Sequence, residues 1–178
     1  MSSSASLYTV RDQLGNEFDK IKKAIVKEHS KNRSNIKSIY ENSLHMDNLW
    51  RFMINSFIGL GYDNVDWSKD YQSPLVWAIR GRHLVYLGDD GVRINKPSDC
   101  ESIIITTEDI SIYDLDHIFG KNRHELIKYY VSQGYSLSES SKLAGDPKFS
   151  SIKHKFLEII EFYKNAYSLN KHVSCVIG

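Results

Sequence analysis

The stretch "LVWAIRGRHLVYLGDDGVRI", residues 75–94, makes an all-helical fold untenable for this chain. β-branched and aromatic residues form short runs there, broken at Gly81-Arg82 and at Asp89-Asp90-Gly91, which is the chemistry of tight turns between antiparallel strands. "SIIITT", residues 102–107, reads as a further strand, so a meander is predicted within residues 73–107. Asp89 and Asp90 stand where a turn wants Asp before Gly, and are read as turn residues rather than as a metal or catalytic pair.

Outside this segment apolar residues recur every three or four positions, the period of helices that bury one face. Val10, Leu14, Phe18, Ile21 and Ile25 predict a helix from Tyr8 to about Lys27 with a lysine-rich outer side. Its stripe is too short for a coiled coil but long enough to pair two copies of the chain as a homodimer. Residues 20–37 hold seven Lys/Arg, read as a solvated face that breaks at "HSKNRSN", with a phosphate-contacting arm as the functional alternative. "NSLHMDNLWRFMINSFIGLGYDNV", residues 42–65, is predicted as one central helix stopped by Gly59 and Gly61. Two more helices follow, one carrying Ile112, Leu115, Ile118 and Phe119, and one over "RHELIKYYVSQ" up to Gly134.

The fold class expected is therefore α+β, mainly helical, with a small central antiparallel β-meander and a C-terminal helix-turn-helix-like unit. A length of 178 residues suits one domain, with N-terminal helices in 1–62, the sheet in 73–107 and a helical part in 111–168. An apolar share of 41% and a charged share of 25% are those of an ordinary globular chain. No apolar run approaches the roughly 18 residues of a membrane span, and Met-Ser-Ser-Ser lacks the form of a signal peptide, so a cytoplasmic protein without membrane contact is expected.

Cys100 and Cys175 are read as two free thiols. Cys175-Val-Ile-Gly178 has the outline of a prenylation box, with an unusual last residue and no basic run before it. The net charge of +1 conceals a separation. Residues 1–60 carry nine Lys/Arg against six Asp/Glu, residues 61–120 five against eleven, and residues 121–178 nine against five. Two basic thirds thus flank an acidic one.

"SLSESSKLAGDPKFSSIKH", residues 136–154, holds the densest signal. Ser136 with Glu139 forms a capping box, Ser140, Ser141 and Ala144 are small enough for close helix approach, and Leu137 and Leu143 are expected to supply buried contacts. Gly145 ends one helix, and Asp146-Pro147 starts the next, whose Ile152, Phe156, Ile159, Ile160 and Tyr163 share a face. This spacing resembles the helix-turn-helix of the DNA-binding domain of the replication initiator DnaA, in the Trp-repressor-like group. The resemblance covers about twenty residues and lacks the family's Gly-Arg-Asp-His stretch, replaced here by Asp146-Pro147-Lys148-Phe149. It implies that Lys148, Ser150, Ser151 and His154 face the major groove. Lys121, Arg123, Lys142 and Lys153 complete the expected DNA-contacting set.

The first functional expectation is a double-stranded-DNA-binding regulatory or accessory protein. The alternative is a non-enzymatic interaction or inhibitor module, of the phage or mobile-element type, whose acidic middle segment docks on a host protein. A third reading takes Asp116-His117-Ile118 and Asn122 as the remnant of an HNH nuclease motif, although the interval is too short for its intervening loop. There is no phosphate loop, zinc-ligand spacing or nucleophile elbow, and His29, His83, His124 and His172 have no catalytic neighbours in sequence. No catalytic residue, cofactor or metal is expected.

Overall fold

The structure is a computed structural model and describes residues 4–12, 17–31, 38–47, 49–58, 72–87, 91–144 and 146–178. Among these, strands β1 (Ala5–Val10), β2 (Tyr40–Asp47), β3 (His83–Leu87), β4 (Gly91–Asn95) and β5 (Val173–Ile177) form one sheet in the order β2-β1-β5-β4-β3. Every neighbouring pair is antiparallel. The α+β class, mainly helical with an antiparallel sheet, is therefore correct, but the sheet draws strands from three distant parts of the chain.

Side chains alternate across the sheet, as successive residues of a strand must. Leu7 and Cys175, which face each other in register, point to one side. Val10, Val92 and Ile94 point to the other, where α1 (Phe18–Lys31) lays Ile21 and Ile25 on them. The first side is covered by α2 (Leu49–Ile58), α3 (Pro74–Arg80), α4 (Pro97–Glu108), α5 (Ile112–Lys121), α6 (Arg123–Ser132), α7 (Leu137–Leu143) and α8 (Asp146–Ser168). Trp50, Met53, Ile79, Ile103, Phe119, Phe156 and Tyr163 join Leu7 and Cys175 in its core. Each such large side chain removed from water contributes about 1.5–3 kcal/mol before entropy is counted.

Several expected elements are corrected. The helix assigned to Tyr8–Lys27 is strand β1 followed by α1; Val10 shares the helical spacing of Phe18, Ile21 and Ile25 but meets them from a strand, on the face that α1 covers. The start of the segment 42–65 is strand β2, paired with β1, and α2 begins only at Leu49. Gly59, Gly61, Asp89 and Asp90 lie outside the described residues. "LVWAIR" is α3, started by Pro74, and "SIIITT" lies inside α4, started by Pro97. In α4 the hydroxyls of Ser102, Thr106 and Thr107 donate to the carbonyls of Ser98, Ser102 and Ile103, one turn back, so β-prone residues sit in a helix with their polar groups satisfied. The β3–β4 pair is formed as expected.

β5 was not anticipated, and it occupies the centre of the sheet. Cys100 and Cys175 are both free and buried, in line with the reading of two thiols. Asn95 ties the sheet to the helices: its Nδ2 donates to Trp77 O and Tyr163 Oη, both at 2.8 Å, and its Oδ1 accepts from Arg82 N at 2.8 Å. Gly81, at φ 75°, ends α3 where a Cβ would come within 2.8 Å of Arg93 Cβ, so only glycine fits between helix and sheet.

Candidate functional site

The helix pair α7–α8 forms at the expected place. Ser136 Oγ accepts from Glu139 N at 3.2 Å and Glu139 Oε2 accepts from Ser136 N at 2.9 Å, closing the capping box. Those bonds from Ser136 hold the Glu139 carboxyl below the ordinary glutamate range. Ser140 and Ala144 are fully buried, as are Ile152, Phe156, Ile159 and Tyr163 on α8, with Ile160 nearly so. Leu137 is a correction: it is 68% exposed. Side chains lean toward the helix N-terminus, so the first residue of α7 projects past the packed turn.

The DNA-contacting set is only partly open. Lys121, Arg123, Lys142, Ser151 and His154 are exposed, and Arg123 Nη2 donates to Ser141 O at 3.3 Å, joining α6 to α7. Lys153 is committed elsewhere, its Nζ 2.5 Å from Asp116 Oδ1 on α5 and its side chain only 17% exposed. His154 Nε2 lies 3.3 Å from Glu158 Oε1, and Lys155 pairs with Glu158 at 2.6 Å. Lys148, Ser150 and Leu143 lie outside the residues whose side chains are described, as does Gly145 altogether. Carboxylates therefore sit among the residues that would read a groove.

A second surface lies at the α4–α5 corner. No Lys or Arg occurs between Lys96 and Lys121, whereas Glu108, Asp109, Asp114 and Asp116 are all exposed there. Ile105 is 61% exposed and Tyr113 80%. Ser111 caps α5 by accepting from Asp114 N at 3.2 Å, and Asp114 Oδ2 accepts from Ser111 N at 2.9 Å. The same bonds hold the Asp114 carboxyl below its ordinary range, so it stays anionic. His117, the residue behind the nuclease reading, is exposed on α5, while Asn122 donates to Ile118 O at 3.2 Å and to Ser56 O at 3.4 Å.

A third cluster gathers where α1, β3 and α4 begin and β5 approaches. Asp99 is buried and accepts from Arg82 Nη1 at 2.7 Å, His83 Nε2 at 2.9 Å and Lys96 N at 2.8 Å. Phe18 lies edge-on to His83, with ring centres 5.2 Å apart, and stacks on His172 at 6.0 Å. Lys96 Nζ stands 4.3 Å and Lys22 Nζ 5.7 Å from the centre of the same ring. Burial pushes both imidazoles below the ordinary histidine value; Lys96 pushes the same way and Asp99 opposes. The sequence reading missed this cluster because His83, Asp99 and His172 are far apart along the chain. The Pro97-Ser98-Asp99 helix start was its one legible sign.

Among the described residues no group of three or more His, Cys, Asp or Glu could hold a metal ion, and no helix is long and apolar enough to cross a membrane. No family model matches the chain, and no curated protein does. The sheet order and the helices packed on it define the class, an α+β protein of the YfbM-like fold. One solved structure that it resembles is a protein of unknown function, YfbM from Escherichia coli. It is 17% identical, covers 98% of this chain and 99% of its own, and superposes with a TM-score of 0.64.

Proposed function

We propose that this protein is a non-enzymatic interaction module that docks on a basic protein surface through the α4–α5 corner. The observation that carries the reading is Tyr113, 80% exposed in a stretch free of Lys and Arg and beside the ionised Asp114. An exposed aromatic in an acidic stretch suits an interface: the ring fills a pocket, and the charges steer a cationic partner and reject nucleic acid. Photo-crosslinking from position 113 tests it. One basic protein captured at stoichiometric yield, retained after nuclease treatment and lost when Glu108 and Asp109 become Lys, is the expected result. Capture that is indifferent to those charges removes the assignment.

A second reading, duplex-DNA binding by α7–α8, keeps a specific observation in its favour. Ser151 and His154 on α8 are exposed, as are Lys121, Arg123 and Lys142 on α5, α6 and α7. Binding should then weaken steeply with salt. Ser151→Ala and Lys142→Ala should reduce affinity in a duplex gel-shift assay, and unchanged affinity in both retires this reading.

A further inference from the structure

We infer that the cations around Phe18 form a binding site for a phosphate group carried by a small molecule. The argument begins with Asp99, whose Oδ1 is taken by Arg82 and whose Oδ2 is taken by His83 and the Lys96 backbone. Arg82 offsets its charge, and its guanidinium carbon lies over the Trp77 ring, 4.2 Å from the ring centre. Lys171, next to His172, is neutralised by Glu41 and by Asp12 at 3.4 Å.

That leaves Lys22 and Lys96, which have no ion-pair partner among the described residues and converge on one aromatic ring. Two ammonium groups held near each other repel, and a ring face is a weak substitute for an anion. Asp19, exposed on the same helix, is the nearest carboxylate in sequence, yet it forms no ion pair with Lys22. Two ammonium groups at 4.3 and 5.7 Å from one ring centre, with His83 and His172 against the same ring, suit a phosphate dianion better than a singly charged carboxylate.

The imidazoles give the site its signature. Burial, with Lys96 in support and Asp99 opposing, disfavours protonation of both His83 and His172. A dianion seated on the lysines reverses that, and binding should draw protons onto the imidazoles.

Titration of the intact protein with inorganic phosphate, at constant ionic strength against chloride, tests the site while NMR follows the two histidines. Saturable phosphate binding that raises both histidine pKa values is expected. Lys22→Ala and Lys96→Ala should each weaken it about tenfold, and Lys96→Arg should retain it. Thermal melting of each variant separates lost binding from lost folding. Equal responses to phosphate and chloride, or full binding by both alanine variants, would leave only a general salt effect and overturn the inference. A nucleoside monophosphate that competes with inorganic phosphate supports a small-molecule source. Binding confined to vesicles of phosphatidic acid overturns that source.

Discussion

Among the described residues, one face of the sheet is covered by α1, which buries Ile21 and Ile25 against Val10, Val92 and Ile94 and rests Phe18 of its first turn on His83, His172 and Lys96. On the other face, α2–α6 and α8 bury a continuous cluster that includes Trp50, Phe119, Phe156 and Tyr163. The first face depends on charge state and has few apolar contacts to hold it. The second holds most of the buried apolar side chains. Local opening follows apolar contact density, so α1 is the element expected to open first.

The sharpest test of that contrast is a matched pair of truncations. Phe156 is fully buried, with ring centres 5.1 Å from Phe57 and 6.4 Å from Phe119, and Phe156→Ala should cost about 3–5 kcal/mol in urea unfolding. Ile25→Ala, under one helix that can settle into the gap, should cost about 2–3 kcal/mol. Equal costs would erase the distinction between the faces.

Ser136→Ala probes the helical face where its apolar support is thinnest. With Leu137 exposed, α7 relies on its cap, and removal should cost about 1 kcal/mol by the same measurement. A cost near zero would mean that Ser140 and Ala144 hold α7 unaided.

The smallest effect is a pH dependence on the α1 face. His83 and His172 have folded pKa values below the ordinary 6.5, so the unfolded chain binds protons that the folded one refuses. Their contribution is fully present above that value and is lost as pH falls through it toward the depressed folded values. Unfolding followed between neutral and mildly acidic pH should show this slope, flattened in the His83→Gln, His172→Gln double variant. A slope that survives both substitutions must come from other groups.

How much of this was legible depended on whether the cause lay within a few residues. The capping boxes at Ser136 and the inward face of α8 follow from local spacing, and both are present. β1 and β2 were hidden because strand pairing joins residues such as Leu7, Leu44 and Cys175, and no local pattern announces such partners. In α4, the β-branched Ile and Thr of residues 102–107 read as a strand, and they lie instead in a helix that starts at Pro97. Of the candidate site residues, Lys153 looked free in sequence because its partner Asp116 lies on another helix. The same holds for Asp99, whose partners come from β3 and from the residue before α4.

The position of β5 at the centre of the sheet also bears on how the chain assembles. A ribosome releases β1, β2, β3 and β4 before the strand that must lie between β1 and β4. Until then the chain can hold only two separate two-stranded ribbons, each marginal in water with an unpaired edge. Closing the sheet joins strands far apart in sequence, so folding should be slow, and the strands made earlier stay exposed to wrong pairings until β5 arrives.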